Sequence, residues 1–350
     1  MNISAENSKN INNKPVIGIL TIPLSSWFAD GIIHDSKKIK SYLPAAYDRW
    51  IENSGCKVVP LQYTLAKPIL ISELMQVNGV IICGENGAIN YFDLHKDAVI
   101  DNETIRWMKA AFTIFEFATK ENHQNRYFPL LGIGSGYEEL FFMATRPNYY
   151  KKLSTIENSM TFNEDEKPDN ELVILSDKTI LQPLSLTKTP GNFGLHISDK
   201  DKKIWSKTKV CYNTSGFGLN AKAFPDFLEI NAKVRNAKYN NEYVSIYSFK
   251  ELPFYGFCFH PEAVLYDWSD SEMDKKNMDV DVDFSKKMSE FFVNECRKNF
   301  AKLLSKKILI YNYTLYSPEG VLKILYPKNW ESVQFKKHFS QLYLFGKVKH

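Results

Sequence analysis

Through about residue 145, short apolar runs rich in β-branched residues alternate with amphipathic stretches, and this alternation constrains the fold more than any other feature. Residues 14–21 (KPVIGILT) read as a buried strand, and 41–54 (SYLPAAYDRWIENS) space their apolar residues as a helix that Gly55 stops. A second strand follows at 56–61 (CKVVPL), then a helical stretch at 71–77 and a third strand at 80–83 (VIIC). Residues 104–121 form an amphipathic pattern with Ile105, Met108, Ala111, Phe112, Ile114 and Phe115 on or beside one face. A fourth strand, 127–133 (YFPLLGI), leads into a helix over 138–144. Repeated strand–helix units bury both faces of a parallel sheet, so the expected architecture is a three-layer α/β/α sandwich.

The second half is less regular. The polar, acidic stretches 163–171 and 267–283 read as surface insertions, and 227–234, 243–249 and 254–259 carry strand signals. Residues 284–304 are expected to form a long helix, and 308–315 and 341–345 closing strands. No repeat or composition break divides the chain, which reads as one domain over 14–345, with a flexible arm over 1–13 and a tail over 346–350.

Lys and Arg number 44 against 40 Asp and Glu, giving a formal charge of +4 without a basic block, so nucleic acid is not an expected partner. No apolar run reaches the roughly 18 residues of a membrane span. The five cysteines (Cys56, Cys83, Cys211, Cys258, Cys296) have no metal-ligand spacing. Their odd number argues against a disulfide framework, though two disulfides and one free thiol also fit. Residues 1–13 lack the apolar core of a secretory leader, which fits an intracellular protein or one whose leader has been trimmed. The sequons at Asn2, Asn102, Asn213 and Asn312 are read as chance in an Asn-rich chain.

Two segments carry chemistry. Gly132-Ile133-Gly134-Ser135-Gly136-Tyr137-Glu138-Glu139 stands at a predicted strand-to-helix turn, the geometry of a nucleophile elbow. His260-Pro261-Glu262 closes the run FYGFCF, and a histidine at a strand end with an acid two residues on suits a general base oriented by a carboxylate.

With these residues in view, the chain resembles the gamma-glutamyl hydrolases, cysteine peptidases with the class I glutamine amidotransferase-like (flavodoxin-like) fold. FPLLGIGSGYEEL resembles the family's F-P-x-x-G-T-C-x-G-F-E-E-L, FYGFCFHPE its Y-G-x-Q-W-H-P-E, and EFFVNECRKNF its E-F-F-V-N-E-A-R-K-N. KPVIGIL, SYLPAAYDRWIENSGCKVVPL, ILIYNY and QLYLF extend the likeness from about Lys14 to Phe345. The resemblance implies hydrolysis of γ-linked glutamates from folate polyglutamates, no cofactor, no metal, and a lysosomal or extracellular setting.

Aligned on Gly132 and Gly136, the family's nucleophilic cysteine falls on Gly134, and glycine has no side chain with which to attack a carbonyl. The resemblance leaves His260 and Glu262 as a remnant dyad, with the Ser135 backbone N–H as an oxyanion donor. It also places Gly84 and Glu85 where the family has Gly-Gly, so a carboxylate is expected beside the oxyanion hole. Glu138 matches a position near the substrate glutamate, and a helix-start acid is its structural alternative. Gly194 falls on the histidine of the family's N-F-H element, within 191–196, so that contact is expected to be lost, His196 lying nearby.

Ser135 and Cys258 are the candidate substitute nucleophiles. Ser135 is one position out of register for G-x-S-x-G and reads better as a helix-start residue; Cys258, two before His260, reads as a small buried residue that could share its face. The acidic run 279–283 reads as a solvated loop rather than a cation site, and His34, His95, His123 and His338 as surface residues. The expected protein is a catalytically inactive gamma-glutamyl hydrolase-like chain with a binding or structural role in an assembly or homo-oligomer. The alternatives are an active hydrolase with a substitute nucleophile and a sensor of a glutamyl or folate ligand.

Overall fold

The computed structural model describes residues 11–24, 39–84, 99–100, 102–153, 160–161, 172–174, 180–187, 193, 197–213, 217–236, 241–266, 278–325 and 340–346. The strands that frame the molecule are β1 (Val16–Leu20), β2 (Ile39–Pro44), β3 (Lys57–Leu61), β4 (Val80–Gly84), β5 (Leu130–Gly134), β6 (Ser185–Leu186), β7 (Leu228–Asn236), β8 (Asn241–Phe249), β9 (Phe254–Phe257) and β10 (Leu342–Gly346). The helices that cover them are α1 (Ala45–Glu52), α2 (Lys67–Leu74), α3 (Asn102–His123), α4 (Ser135–Thr145), α5 (Pro147–Leu153) and α6 (Met278–Cys296).

The main sheet runs β6-β7-β8-β9-β5-β4-β1-β3. Its core, β9-β5-β4-β1-β3, is parallel throughout, and β8, β7 and β6 extend it antiparallel. Side chains alternate across each parallel strand with period two. Val16, Leu20, Val59, Leu61, Val80, Ile82 and Leu130 face a layer built on α2, α3, α4 and α5. Ile17, Ile19, Val58, Ile81, Leu131 and Ile133 face α1 and α6. Strands buried on both faces need unbroken apolar runs, and this is why the sequence pattern pointed to a three-layer α/β/α sandwich.

Several elements depart from the sequence reading. The helix expected over 41–54 begins only at Ala45, because 39–44 form β2, which pairs antiparallel with β10 nearly three hundred residues away. Of residues 308–315, expected as a strand, Ile308 and Ile310–Asn312 lie in two 3-10 turns that bring Ile310 into the α1–α6 layer, and only Leu315, in a short strand Leu315–Tyr316, pairs antiparallel with β10. Residues 278–283, expected within a surface loop, are the first turns of α6. Residues 163–171 lie outside the described residues. So do 1–10 of the expected arm, whereas Asn12 is tied to the end of α6 through Arg297 O and Asn299 O. All five cysteines are buried free thiols. No helix among the described residues is long and apolar enough to cross a membrane.

Two buried carboxyls mark where the layers meet. Asp48 on α1 accepts a hydrogen bond from the Tyr343 hydroxyl of β10 at 3.2 Å, yet burial, with Glu52 beside it, pushes its pKa up to about 7. Glu139 on α4 is fully buried, neither oxygen meets a donor at hydrogen-bonding geometry, and burial pushes its pKa up to about 8, the nearby Tyr150 hydroxyl offsetting part of the shift. Both groups hold their proton in the folded chain after the unfolded chain, with ordinary values of 3.8 and 4.5, has released it. The unfolded state then binds fewer protons, so this part of the stability is full below about pH 4 and falls as pH rises towards 8. Urea unfolding is expected to show a lower unfolding free energy at pH 8 than at pH 5, and Glu139→Gln to shrink that difference by about 1–3 kcal/mol.

Candidate active site

Three neighbouring parallel strands deliver the site. Register pairs Gly84 with Gly134 across β4 and β5, and Ile133 with Phe257 across β5 and β9. The ends of these strands, the elbow into α4 and the segment after β9 therefore converge on the carboxyl edge of the sheet, where open α/β sheets bind ligands.

Gly134 makes the turn from β5 into α4 with φ +57° and ψ −120°, a conformation that costs a residue with a side chain about 1–3 kcal/mol. Gly136 allows α4 to start against the sheet, since a Cβ there would lie 1.8 Å from the Ile82 carbonyl oxygen. A Cβ at position 134 would point at the His260 ring, 2.7 Å from both Cε1 and Nε2 and 3.2 Å from the Gly84 carbonyl oxygen. Position 134 is thus the point of the elbow aimed at the imidazole, and the ring has closed onto the glycine more tightly than a side chain would permit.

His260 is buried and well anchored. Its backbone N–H donates to the Tyr212 carbonyl at 2.8 Å. Its Nδ1 stands 2.8 Å from Glu262 Oε1 and 3.3 Å from the Tyr47 hydroxyl. A proton on Nδ1 directed at the carboxylate leaves Nε2 with its lone pair facing Gly134, the tautomer a general base requires. The structure brings Gly134, His260 and Glu262 together and adds Tyr47, which the sequence reading missed. The only local signal for Tyr47 was its place on the buried face of α1, and nothing in its spacing points to residue 260.

Of the two substitute nucleophiles, Cys258 does not join them. Ser135 is the first residue of α4, and a Cβ on Gly84 would stand 3.0 Å from its Cβ and 3.7 Å from its Oγ. Cys258 packs in the α2–α5 layer and accepts a hydrogen bond from Asn213 Nδ2 at 3.3 Å. Burial, with the charge of Glu138 adding to it, pushes its thiol far above the usual range, so the nucleophilic thiolate is suppressed. β9 ends at Phe257, so strand alternation does not carry Cys258 onto the face of His260, whose ring lies by Tyr47 of the opposite layer.

Glu138 is buried in the first turn of α4, where its charge acts on Tyr247 and Cys258. Phe193 packs edge-on against Phe257 and Phe291, bracing β9. Glu85, Gly194, His34, His95, His196 and His338 lie outside the described residues; His123 is exposed at the end of α3. The acids of 279–283 are helical, Asp283 paired with Lys287 at 2.6 Å. Among the described residues no group of three or more His, Cys, Asp or Glu is placed to hold a metal ion.

The described residues thus form a three-layer α/β/α sandwich with an elbow after a central strand and a His–Glu pair after its neighbour. Residues 15–196, just over half of the chain, match the Peptidase C26 family, and the chain belongs to that family. It is 26% identical to gamma-glutamyl hydrolase B of Dictyostelium discoideum, covering 96% of this chain and 89% of that one. It is 25% identical to gamma-glutamyl hydrolase of Homo sapiens, covering 86% and 85%. Among solved structures, a putative GMP synthase protein from Thermoplasma acidophilum aligns over 79% of this chain and 96% of that one at 12% identity, with a TM-score of 0.40.

The closure of His260 onto Gly134 has a measurable cost for any side chain. Gly134→Ala and Gly134→Cys are each expected to lower the unfolding free energy by about 2–4 kcal/mol, combining backbone strain with displacement of the ring. Urea denaturation of the two variants beside the parent protein checks this.

Proposed function

We propose that this chain is a catalytically silent member of the Peptidase C26 family, kept for binding or for a structural role in an assembly or homo-oligomer. One observation carries the reading: the position aimed at the imidazole is a glycine. Covalent cleavage of a γ-glutamyl amide needs a nucleophilic side chain that attacks the carbonyl carbon and then holds the acyl group. Gly134 offers none, Ser135 lies one position past the point of the elbow, and the Cys258 thiol is buried, hydrogen-bonded and protonated.

A second reading is favoured by the intact dyad. With Nε2 free of any protein partner among the described residues, His260 could take a proton from water as its oxygen adds to the same carbonyl, then return it to the departing amide nitrogen as the C–N bond breaks, with no acyl-enzyme formed. This reading makes the chain a slow hydrolase of glutamyl substrates, and it leaves open a cleft that binds a glutamyl or folate ligand without turning it over.

Incubation of the purified protein with a poly-γ-glutamyl folate, followed by chromatography of chain length, separates these readings. The expected result is no shortening. Turnover that disappears in His260→Ala would overturn the proposal. Insensitivity of that turnover to thiol alkylation would assign it to the water route.

A further inference from the structure

We propose that the segment 297–307, on the edge of the sheet opposite the Gly134–His260 site, docks the protein on an anionic lipid surface. The segment follows α6 and runs along the amino-terminal ends of β1 and β4. Asn78, just ahead of β4, accepts from the Val16 N–H at the start of β1 at 2.7 Å. Its Nδ2 donates to the carbonyls of Asn299 at 3.1 Å and Ala301 at 2.9 Å. Gln76 accepts from the Leu304 N–H at 3.0 Å. Leu303 and Ile308 pack against the α2–α5 layer, and Leu309 and Ile310 are buried. The backbone is held along its length, so the side chains it presents outward are set by the fold.

Those side chains are apolar and cationic together. Phe300 is 56% exposed, Leu304 84%, and Met75, next to Gln76 at the end of α2, 60%. Large apolar side chains gathered on one short stretch of surface mark a contact face. Lys302, Lys306 and Lys307 stand among them, all exposed, and none of the three has an acidic partner among the described residues. The cations just before them are already engaged. Lys298 pairs with Glu295 at 2.6 Å and lies over the Tyr127 ring, and Arg297 donates to the carbonyls of Asn12 and Ser54. The acid of α2 nearest to Met75, Glu73, is half-buried, and burial pushes its pKa up to about 7, so it offsets only part of a charge at neutral pH.

A bilayer with acidic headgroups supplies both halves of the complementary chemistry. Its phosphate and carboxylate oxygens attract the ammonium groups, and its acyl boundary receives Phe, Leu and Met side chains. A second copy of this chain is a poorer occupant, because symmetric pairing through this face would set the lysines against the same lysines. Docking by this edge turns the carboxyl edge of the sheet away from the lipid. The inference is therefore independent of whether the Gly134–His260 site turns over a substrate.

Co-sedimentation of the whole protein with vesicles tests it. Vesicles of phosphatidylcholine containing about 30% phosphatidylserine are expected to bring the protein down, and phosphatidylcholine alone to leave it in the supernatant. Raising the salt from about 0.1 M to about 0.5 M is expected to release most of it. Each lysine near an anionic surface strengthens binding by roughly fivefold, so Lys302→Gln, Lys306→Gln and Lys307→Gln together are expected to weaken it by about a hundredfold. These positions are exposed, so the melting temperature is expected to stay unchanged. Phe300→Ser with Leu304→Ser is expected to weaken binding by about tenfold or more. No sedimentation with the acidic vesicles, equal sedimentation with the neutral ones, or unchanged binding in either folded variant would overturn the proposal. So would a dimer in sedimentation velocity that Leu304→Ser dissociates, which would assign the face to a second copy.

Discussion

Parallel pairing of β4, β5 and β9 is the constraint on which the rest of this molecule depends. Because Gly84 is in register with Gly134, and Ile133 with Phe257, the strands end level with one another. The turn into α4 and the segment bearing His260 are thereby forced into the same small volume. Alternation along the same strands divides the core into two layers, one holding α1 and α6 and the other α2 to α5. The imidazole sits on the seam: Tyr47 of the first layer flanks its Nδ1, and α4 of the second begins beneath its Nε2.

The parts of this arrangement that were legible in the sequence are those encoded locally. Each parallel strand is an apolar run of about five residues, and a strand buried on both faces can hardly be written otherwise. The elbow was visible because its three glycines punctuate a strand–helix junction, and the dyad because its two members are adjacent along the chain. What was not legible is encoded at a distance. Residues 41–44 satisfy helical spacing but become strand because β10, at the far end of the chain, supplies hydrogen-bonding partners. The run at 308–315 has β-branched residues, but burial of Ile310 against the α1–α6 layer is met by 3-10 turns instead. Tyr47 reaches His260 across 213 residues, a contact no spacing rule can see.

Electrostatics separate the candidate site from the other buried acids. Glu262 has the imidazole of His260 to share its charge with, whereas Glu139 has no donor in place and Asp48 has a single tyrosine hydroxyl beside it. Burial without adequate partners keeps the latter two protonated well into the neutral range, and folding is then penalised as solvent becomes more alkaline. Glu295 shows a contrasting set of partners: it accepts from the Tyr127 and Tyr255 hydroxyls and pairs with Lys298 at 2.6 Å.

The inward position of the imidazole gives the glycine at the elbow the character of a ratchet. Codons for glycine and cysteine can differ by a single base, so a thiol at position 134 is one step away genetically. Structurally it is further, because the ring now occupies the room that such a side chain needs and is clasped there by Glu262. A Gly134→Cys variant would carry both a strained backbone and a dislodged histidine until some second replacement let the ring withdraw.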